Sequence, residues 1–547
     1  MPNKNKISRR DFIKDAAIAG AAVAATGILG STPAQAQTSS QWWLPAKWDY
    51  ETDVVVVGFG GAGAVTSITA FDAGAKVILL EKMSEALAGG NTGVAGGDIF
   101  TPNNPAQAVK YLNALCFGYD LPADMVQVWA QKMSENADYL KSIGGNPAEI
   151  SNAAVTPPGY ITSPNFAPEF PELPGADCAR TFAAGEAPGR GVKLFAFLKS
   201  VVVKRGITVM YETPATELIQ NPQTKEILGV KATSKGNTIN IKANRSVVLT
   251  CGGFENNQQM IRDFLGMTTC FPRGTHGNTG DGIVMAMNAG ATLWHMDNAS
   301  GNGVGIHPLP DLPGMSLAMA GNNFIYIGSD GTRFVNEKVS SRHGKIPFPP
   351  GATPSASTTW IPFPTPMPMH VIFDETTRKK GPITAVANAN SGMGFIAVHG
   401  LYNWSQDNSA EITKGWILQG NTIQELASKI GRDSAALAKV VDTYNGYCQT
   451  GVDTDFGRSK ATLEPIATPP YYAISMVPIV LNTQGGPQHN TKAQVVDAKG
   501  KPIPRLYAAG ECGSIYSWLY NGGGNIGETI AFGRVAGENA VAEKPWA

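Results

Sequence analysis

Four consecutive valines, residues 54–57, follow Asp53 and end at a glycine. A β-branched run of this length, with no polar alternation, predicts a strand buried on both faces of a parallel sheet. A helical pattern follows to about Ala73, and a second apolar run, 75–80, predicts the next strand. The order is β–turn–α–β. Residues 191–204 carry an amphipathic helical pattern that leads into a strand at 207–211. Short strands are predicted through 226–241, and a further buried strand at 246–250 runs into Cys251-Gly252-Gly253. The texture changes after about Met296. Prolines crowd 347–368, with Phe348, Trp360 and Phe363 among them, and a helical region is predicted at 423–444. From residue 476 the strand-and-glycine texture of the first part returns. The pattern predicts an α/β domain in two parts, 37–295 and 476–547, with an α+β capping domain inserted at 296–475. No internal repeat stands out.

Composition narrows the class. Of 547 residues, 43% are apolar and 16% charged, with 43 charges of each sign. A balanced surface of this kind argues against a nucleic-acid partner. The 62 glycines suit a fold with several close backbone approaches. The N-terminus differs from the rest. Ser8-Arg9-Arg10-Asp11-Phe12 precedes an uncharged stretch, 16–46, that contains Ala34-Gln35-Ala36. Paired arginines, a short Ala/Gly-rich core and a small-x-small cleavage site predict a twin-arginine signal peptide at 1–36 and a periplasmic mature protein. The core is too short for a stable membrane span. This route carries folded proteins, which suits a chain that takes up a cofactor before export. The six cysteines show no C-x-x-C spacing and the seven histidines no ligand pattern. No metal site and no haem attachment are expected.

The chemistry begins at Gly58-x-Gly60-x-x-Gly63, directly after the valine strand. Gly58 permits the tight turn, Gly60 lets the backbone approach a pyrophosphate, and Gly63 allows close helix–strand packing. The helix N-terminus at Gly61-Ala62 would face the phosphates. Glu81, followed by Lys82, closes the second strand where a carboxylate can accept from a ribose hydroxyl. Further glycine clusters at Gly89-Gly90-Asn91-Thr92-Gly93, Gly96-Gly97, Gly252-Gly253 and Gly510-Glu511 spread the contacts along most of the chain. That spread indicates a long extended ligand, and favours FAD, held non-covalently, over NAD. The expected fold class is a two-part Rossmann-type FAD-binding domain with an inserted cap.

These blocks, with Thr279-Gly280-Asp281-Gly282, residues 331–337 and 522–537, resemble the flavoprotein family of fumarate reductase flavoprotein subunits, soluble flavocytochrome fumarate reductases, urocanate reductase and 3-ketosteroid dehydrogenases. The resemblance implies that Asp281, Glu511, Asn525 and Ile526 contact the cofactor. It also implies a helix near Gly527 whose N-terminus faces the flavin. Hydride transfer to an activated C=C needs a substrate clamp, an electrophile at the activating carbonyl and a proton donor. By resemblance Arg342 is the proton donor, with His343 beside it, and His307 before Pro308 matches a histidine that holds a substrate carboxylate. Arg333 and Glu337 read as structural partners. Two cationic positions of the relatives are neutral here, Asn482 and Asn521. Each lost charge-assisted hydrogen bond is worth about 1.5–3 kcal/mol, so fumarate itself is not expected as substrate. Tyr520 and Gly524 have the spacing of the ketosteroid dehydrogenase pair that polarises a ketone, although Ser341 stands where those enzymes carry a tyrosine. The expected activity is reduction of a C=C conjugated to a carboxylate or carbonyl, with electrons from a separate donor such as a cytochrome c. The alternatives are a 3-ketosteroid-type dehydrogenase and a non-catalytic flavin electron relay.

Overall fold

The valine run lies in β1 (Tyr50–Val57), where all four valines are buried. The computed structural model describes residues 43–116, 121–149, 168–184, 190–300, 303–338, 343, 367–384 and 393–546. The signal segment, Ser341, Arg342 and the 347–366 proline stretch lie outside the described residues. The fold below belongs to one unit, Pro45–Ala547. After β1 the chain turns through Gly58–Gly60 into α1 (Gly61–Asp72) and returns as β2 (Val77–Leu80). β2 is parallel to β1, with Val54 opposite Val77 and Val57 opposite Leu80. A short helix, α2 (Gly90–Val94), carries the second glycine cluster. Then α3 (Arg190–Lys204) crosses to β3 (Thr208–Met210), parallel to β2.

β4 (Ala215–Gln220), β5 (Ile227–Ser234) and β6 (Asn237–Leu249) form an antiparallel meander. The last of the short strands predicted through 226–241 and the strand predicted at 246–250 are one continuous strand, β6. Its first half alternates polar and apolar because it pairs at the half-exposed end of the meander. Its last four residues are fully buried between two parallel neighbours. One strand with two environments reads as two elements. Helix α4 (Asp281–Asn288) follows the Thr279–Gly282 block.

A second sheet takes strands from 303 to 480. β7 (Gly303–Ile306), β8 (Met315–Ser316), β9 (Phe324–Ile327), β10 (Met369–Asp374) and β12 (Tyr471–Val480) stand in the order β8-β7-β12-β10-β9, and β11 (Leu418–Gly420) also pairs with β12. β10 is buried along its whole length because both faces are covered. Phe373 and Val371 meet Tyr472 and Ile474 on one side, while Ile372 packs under α5 (Ile423–Lys429) and α6 (Ser434–Thr450) on the other. The helical region predicted at 423–444 is these two helices. Gly431, at positive φ, ends the first, and Asp433 caps the second by accepting from the Ala436 amide.

The chain then rejoins the first sheet. β13 (Gln494–Val496) and β14 (Pro502–Ala508) complete it, with β14 parallel to β6 at Leu506–Val247. The order β13-β14-β6-β1-β2-β3 therefore unites residues far apart in sequence. The closing helix α7 (Gly524–Ala542) is buried almost all round. It starts at Gly524 rather than Gly527, because Gly523 at φ +81 forms the cap and lets the helix begin at once. α7 crosses α1 at glycines: a Cβ on Gly533 would sit 3.0 Å from Val65, and one on Gly537 2.8 Å from the Thr66 carbonyl. This close crossing brings the N-termini of α1 and α7 to one edge of the sheet. Among the described residues no helix is long and apolar enough to cross a membrane.

Candidate active site

A cavity of about 600 Å³ opens where the parallel strands end, the edge at which doubly wound sheets bind ligands. Gly58, Gly60, Gly61, Ala62, Glu81, Lys82, Gly90, Asn91, Thr92, Gly96, Gly97, Gly252, Asp281, Glu511, Asn525 and Ile526 all line it. Gly63, Gly253 and Gly510 stand behind the lining. A Cβ on Gly63 would lie 1.9 Å from the Gly58 carbonyl oxygen, and one on Gly253 2.1 Å from Thr483 Oγ1. Gly510 holds a left-handed turn at φ +76 against Ala62. The glycine turn thus lets a ligand approach backbone closely while α1 packs onto β1.

Polar side chains then define the two ends. At the β2 end the Glu81 carboxylate accepts from the Phe59 and Met83 amides at 2.8 and 2.7 Å. Burial pushes its pKa up, against the pull of those amides. Lys82 donates to Thr279 and Asp281, both at 2.6 Å, joining the second strand to the Thr279–Gly282 block. Asn91 donates to Glu255 at 2.8 Å and to Glu511 at 3.0 Å, and Asn278 donates to Glu255 at 2.7 Å. Glu255 is fully buried and Glu511 half-buried at the cavity wall; both are pushed up, Glu511 far above the usual range by desolvation and then by the charge of Glu255. Two desolvated carboxyls this close favour holding a proton. Asn525 is locked in a reciprocal amide pair with Gln484 at 2.7 and 3.1 Å.

Behind this wall, Glu528 of α7 accepts from Ser514 Oγ at 2.6 Å and the Ile515 amide at 2.8 Å. Burial raises it from 4.5 to about 8. The folded state therefore keeps a proton that the unfolded chain releases. Stabilisation from this group is complete below about 4.5 and is lost as pH rises towards 8. A glutamine can donate to Ser514 and still accept from Ile515. Glu528→Gln is expected to gain about 3–4 kcal/mol more over the parent at pH 8 than at pH 5, read from the melting midpoints at the two pH values. Equal gains at both pH values would refute the assignment.

The far end collects the candidate chemistry. Tyr520 and His343 line the cavity, with ring centroids 4.7 Å apart. Ser300 donates to the Tyr520 hydroxyl oxygen at 2.8 Å, which leaves the phenolic hydrogen for another acceptor. Burial keeps Tyr520 protonated. His343 Nδ1 lies 3.0 Å from both carboxylate oxygens of buried Glu169, and its backbone amide donates to the same group at 2.7 Å. Since a carboxylate only accepts, Nδ1 carries the hydrogen and Nε2 faces away from Glu169. Glu169 also accepts from the Gly522 amide at 2.6 Å and donates its own amide to Asn521 Oδ1 at 2.9 Å. It had no sequence signal, lying in a proline-rich loop without a motif.

Two candidates fall elsewhere. The Gly524 amide donates to the Asn521 carbonyl at 2.8 Å, so it is used inside the turn and does not face the cavity with Tyr520. His307 stacks on Phe271 at 3.8 Å, donates from Nε2 to the Leu312 carbonyl at 2.8 Å and is not among the cavity-lining residues. Arg342 is outside the described residues.

A parallel sheet with a glycine turn, a strand-end carboxylate and two helix N-termini at one elongated cavity defines a flavin-dinucleotide oxidoreductase. The chain belongs to the FAD binding domain family, which matches residues 53–526. The cavity fits that cofactor: glycines leave room at the turn where a Cβ would collide, and lining residues from 57 to 529 trace an extended ligand. The chain is 27% identical to digoxin reductase of Eggerthella lenta over 99% of its own length and 98% of the relative's. It is 30% identical to urocanate reductase of the same organism, covering 98% of this chain and 84% of that one. The 3-ketosteroid delta1-dehydrogenase of Sterolibacterium denitrificans shares the fold, with a TM-score of 0.68 and 24% identity over 90% of this chain and 99% of that one.

Proposed function

We propose that the chain is a periplasmic, FAD-dependent ene-reductase that reduces a C=C bond conjugated to a carboxylate or carbonyl. The observation that carries this reading is the convergence of Tyr520, with a hydrogen to donate, and His343, braced by Glu169, at one end of the cavity. Relatives named as reductases over nearly the whole chain support it. Bound FAD supplies the hydride. Tyr520 donates to the oxygen of the activating carbonyl as negative charge develops there. His343, or the adjoining Arg342, delivers the proton to the second carbon, and Glu169 keeps the imidazole aligned. The N-terminus of α7 lines the same cavity and favours negative charge on a ligand facing it. The signal at 1–36 accounts for export, and a separate carrier such as a cytochrome c supplies electrons.

The opposite direction, dehydrogenation beside a ketone, asks for a second donor from Gly524. That amide is spent on Asn521, so the reductase reading is preferred.

The test is anaerobic. Dithionite-reduced protein should be reoxidised by enoates or enones, followed by return of the flavin absorbance. Tyr520→Phe is expected to slow this about 100-fold, the usual loss for one such donor. His343→Gln is expected to slow it by about 10²-fold or more. If no activated alkene accelerates reoxidation, or if both variants match the parent, the reading is wrong and a flavin electron-relay role takes its place.

A further inference from the structure

Arg273 enters the cavity at the end nearest the second sheet. It follows the short strand Phe271–Pro272, which pairs parallel with Ile479–Val480 of β12. Its backbone is pinned on both sides: the amide donates to the Val480 carbonyl at 3.0 Å and the carbonyl accepts from the Phe395 amide at 3.0 Å. Among the described residues its side chain makes one hydrogen bond, Nη1 to Ser316 Oγ at 2.7 Å. Nε is buried and has no partner. Elsewhere the buried guanidiniums are paired: Arg333 and Arg458 share Glu337, and Arg534 pairs with Glu135. Among the described residues no carboxylate forms an ion pair with Arg273. Burial pulls its pKa down. Arg273 is half-buried in the cavity wall, and a guanidinium held there without a carboxylate partner favours an anionic ligand that completes it.

We propose that Arg273 is the cationic clamp of the substrate pocket, and that the substrate carries one carboxylate, held by the guanidinium fork while its C=C lies toward Tyr520 and His343. This rests on the ene-reductase reading and specifies its substrate class. The planar fork suits a carboxylate bound through two oxygens. The cofactor phosphates do not compete for it, because the glycine turn and the α1 N-terminus serve them at the other end. Arg273 instead stands beside Ser316 of β8 and is close enough to Tyr520 for each to shift the other's ionisation. A second carboxylate finds no second unpaired cation among the described lining residues, since Lys82 is paired with Asp281. Asn482 is neutral and donates to the Thr483 carbonyl. The Asn521 amide is taken up by Tyr111, Glu169 and Gly522. Buried Glu169 beyond it would repel a second anion.

The test compares acrylate and cinnamate with their neutral amides on the full FAD-loaded protein. Binding is read as a shift of the oxidised-flavin spectrum and turnover as anaerobic reoxidation. Arg273→Gln should weaken half-saturation by both carboxylates by about 10- to 100-fold and leave the amides within about twofold. Arg273→Lys should recover part of the loss. Flavin content and melting midpoint check that each variant is folded. Equal losses for carboxylates and amides, or no loss, overturn the proposal, as does fumarate acting better than acrylate. Turnover of amides or enones but of no carboxylate overturns it while leaving the ene-reductase reading intact. Carboxylate binding that depends on Arg273, without turnover of any alkene, supports the clamp and rejects the reductase reading. Absence of any spectral shift with any carboxylate also overturns it.

Discussion

Gly63→Ala is expected to produce a protein that retains no FAD and melts well below the parent. The added Cβ would lie 1.9 Å from the Gly58 carbonyl oxygen and 3.0 Å from Thr250 Oγ1. The obstruction is backbone, so no side-chain rotation relieves it. Either α1 lifts from β1 or the turn at Gly58 opens. Both displace the helix N-terminus from the phosphate position. Overpacking of this kind costs about 3 kcal/mol or more when the neighbour cannot yield. The check is the ratio of flavin to protein absorbance after purification, with a thermal melt. Gly446→Ala is the control. That glycine lies within α6 with open space around it, and alanine there should be neutral or stabilising by up to about 1 kcal/mol. If Gly63→Ala keeps full flavin content, the glycine turn does not hold the cofactor as described.

The second large effect is expected at Glu337. It accepts from Arg333 Nε and Nη2, both at 2.9 Å, from Arg458 Nη1 at 3.2 Å, and from the Tyr326 amide at 3.2 Å. Glu337, Arg458 and the second partner of Arg333, Asp453, have fully buried side chains. Glu337→Ala leaves two buried guanidiniums to share one carboxylate and strands an amide. Breaking a buried network by removing one partner costs about 3–5 kcal/mol. Urea unfolding should show that loss in the transition that reports the second sheet. An unchanged midpoint would mean that water replaces the carboxylate, which the burial argues against. This network gives the 331–337 block a structural role.

How far the sequence leads can be judged from single elements. The buried strand at 54–57, the turn after it and Glu81 were readable because a parallel strand has no exposed face and a nucleotide turn needs glycine at fixed offsets. Boundaries were readable only where the environment is uniform. β6 passes from a half-exposed meander to a buried core, so its two halves looked like two strands. α7 starts three residues early because Gly523 accepts a left-handed conformation that no periodicity reveals.

By itself, then, the sequence determined the two-part α/β frame, the cofactor class and which glycines must stay glycine. These follow from local rules: hydrophobic period, steric room at a turn, a helix dipole after it. Only the tertiary structure decided the far end of the cavity. It brought Glu169, Arg273, Ser300, His343 and Tyr520 together from separate segments of the chain, and it showed Gly524 and His307 engaged elsewhere. Whether a buried polar group is spent on the fold or left for a ligand depends on which distant partners surround it. Desolvation and pairing across the fold set that, and no spacing along the chain encodes it.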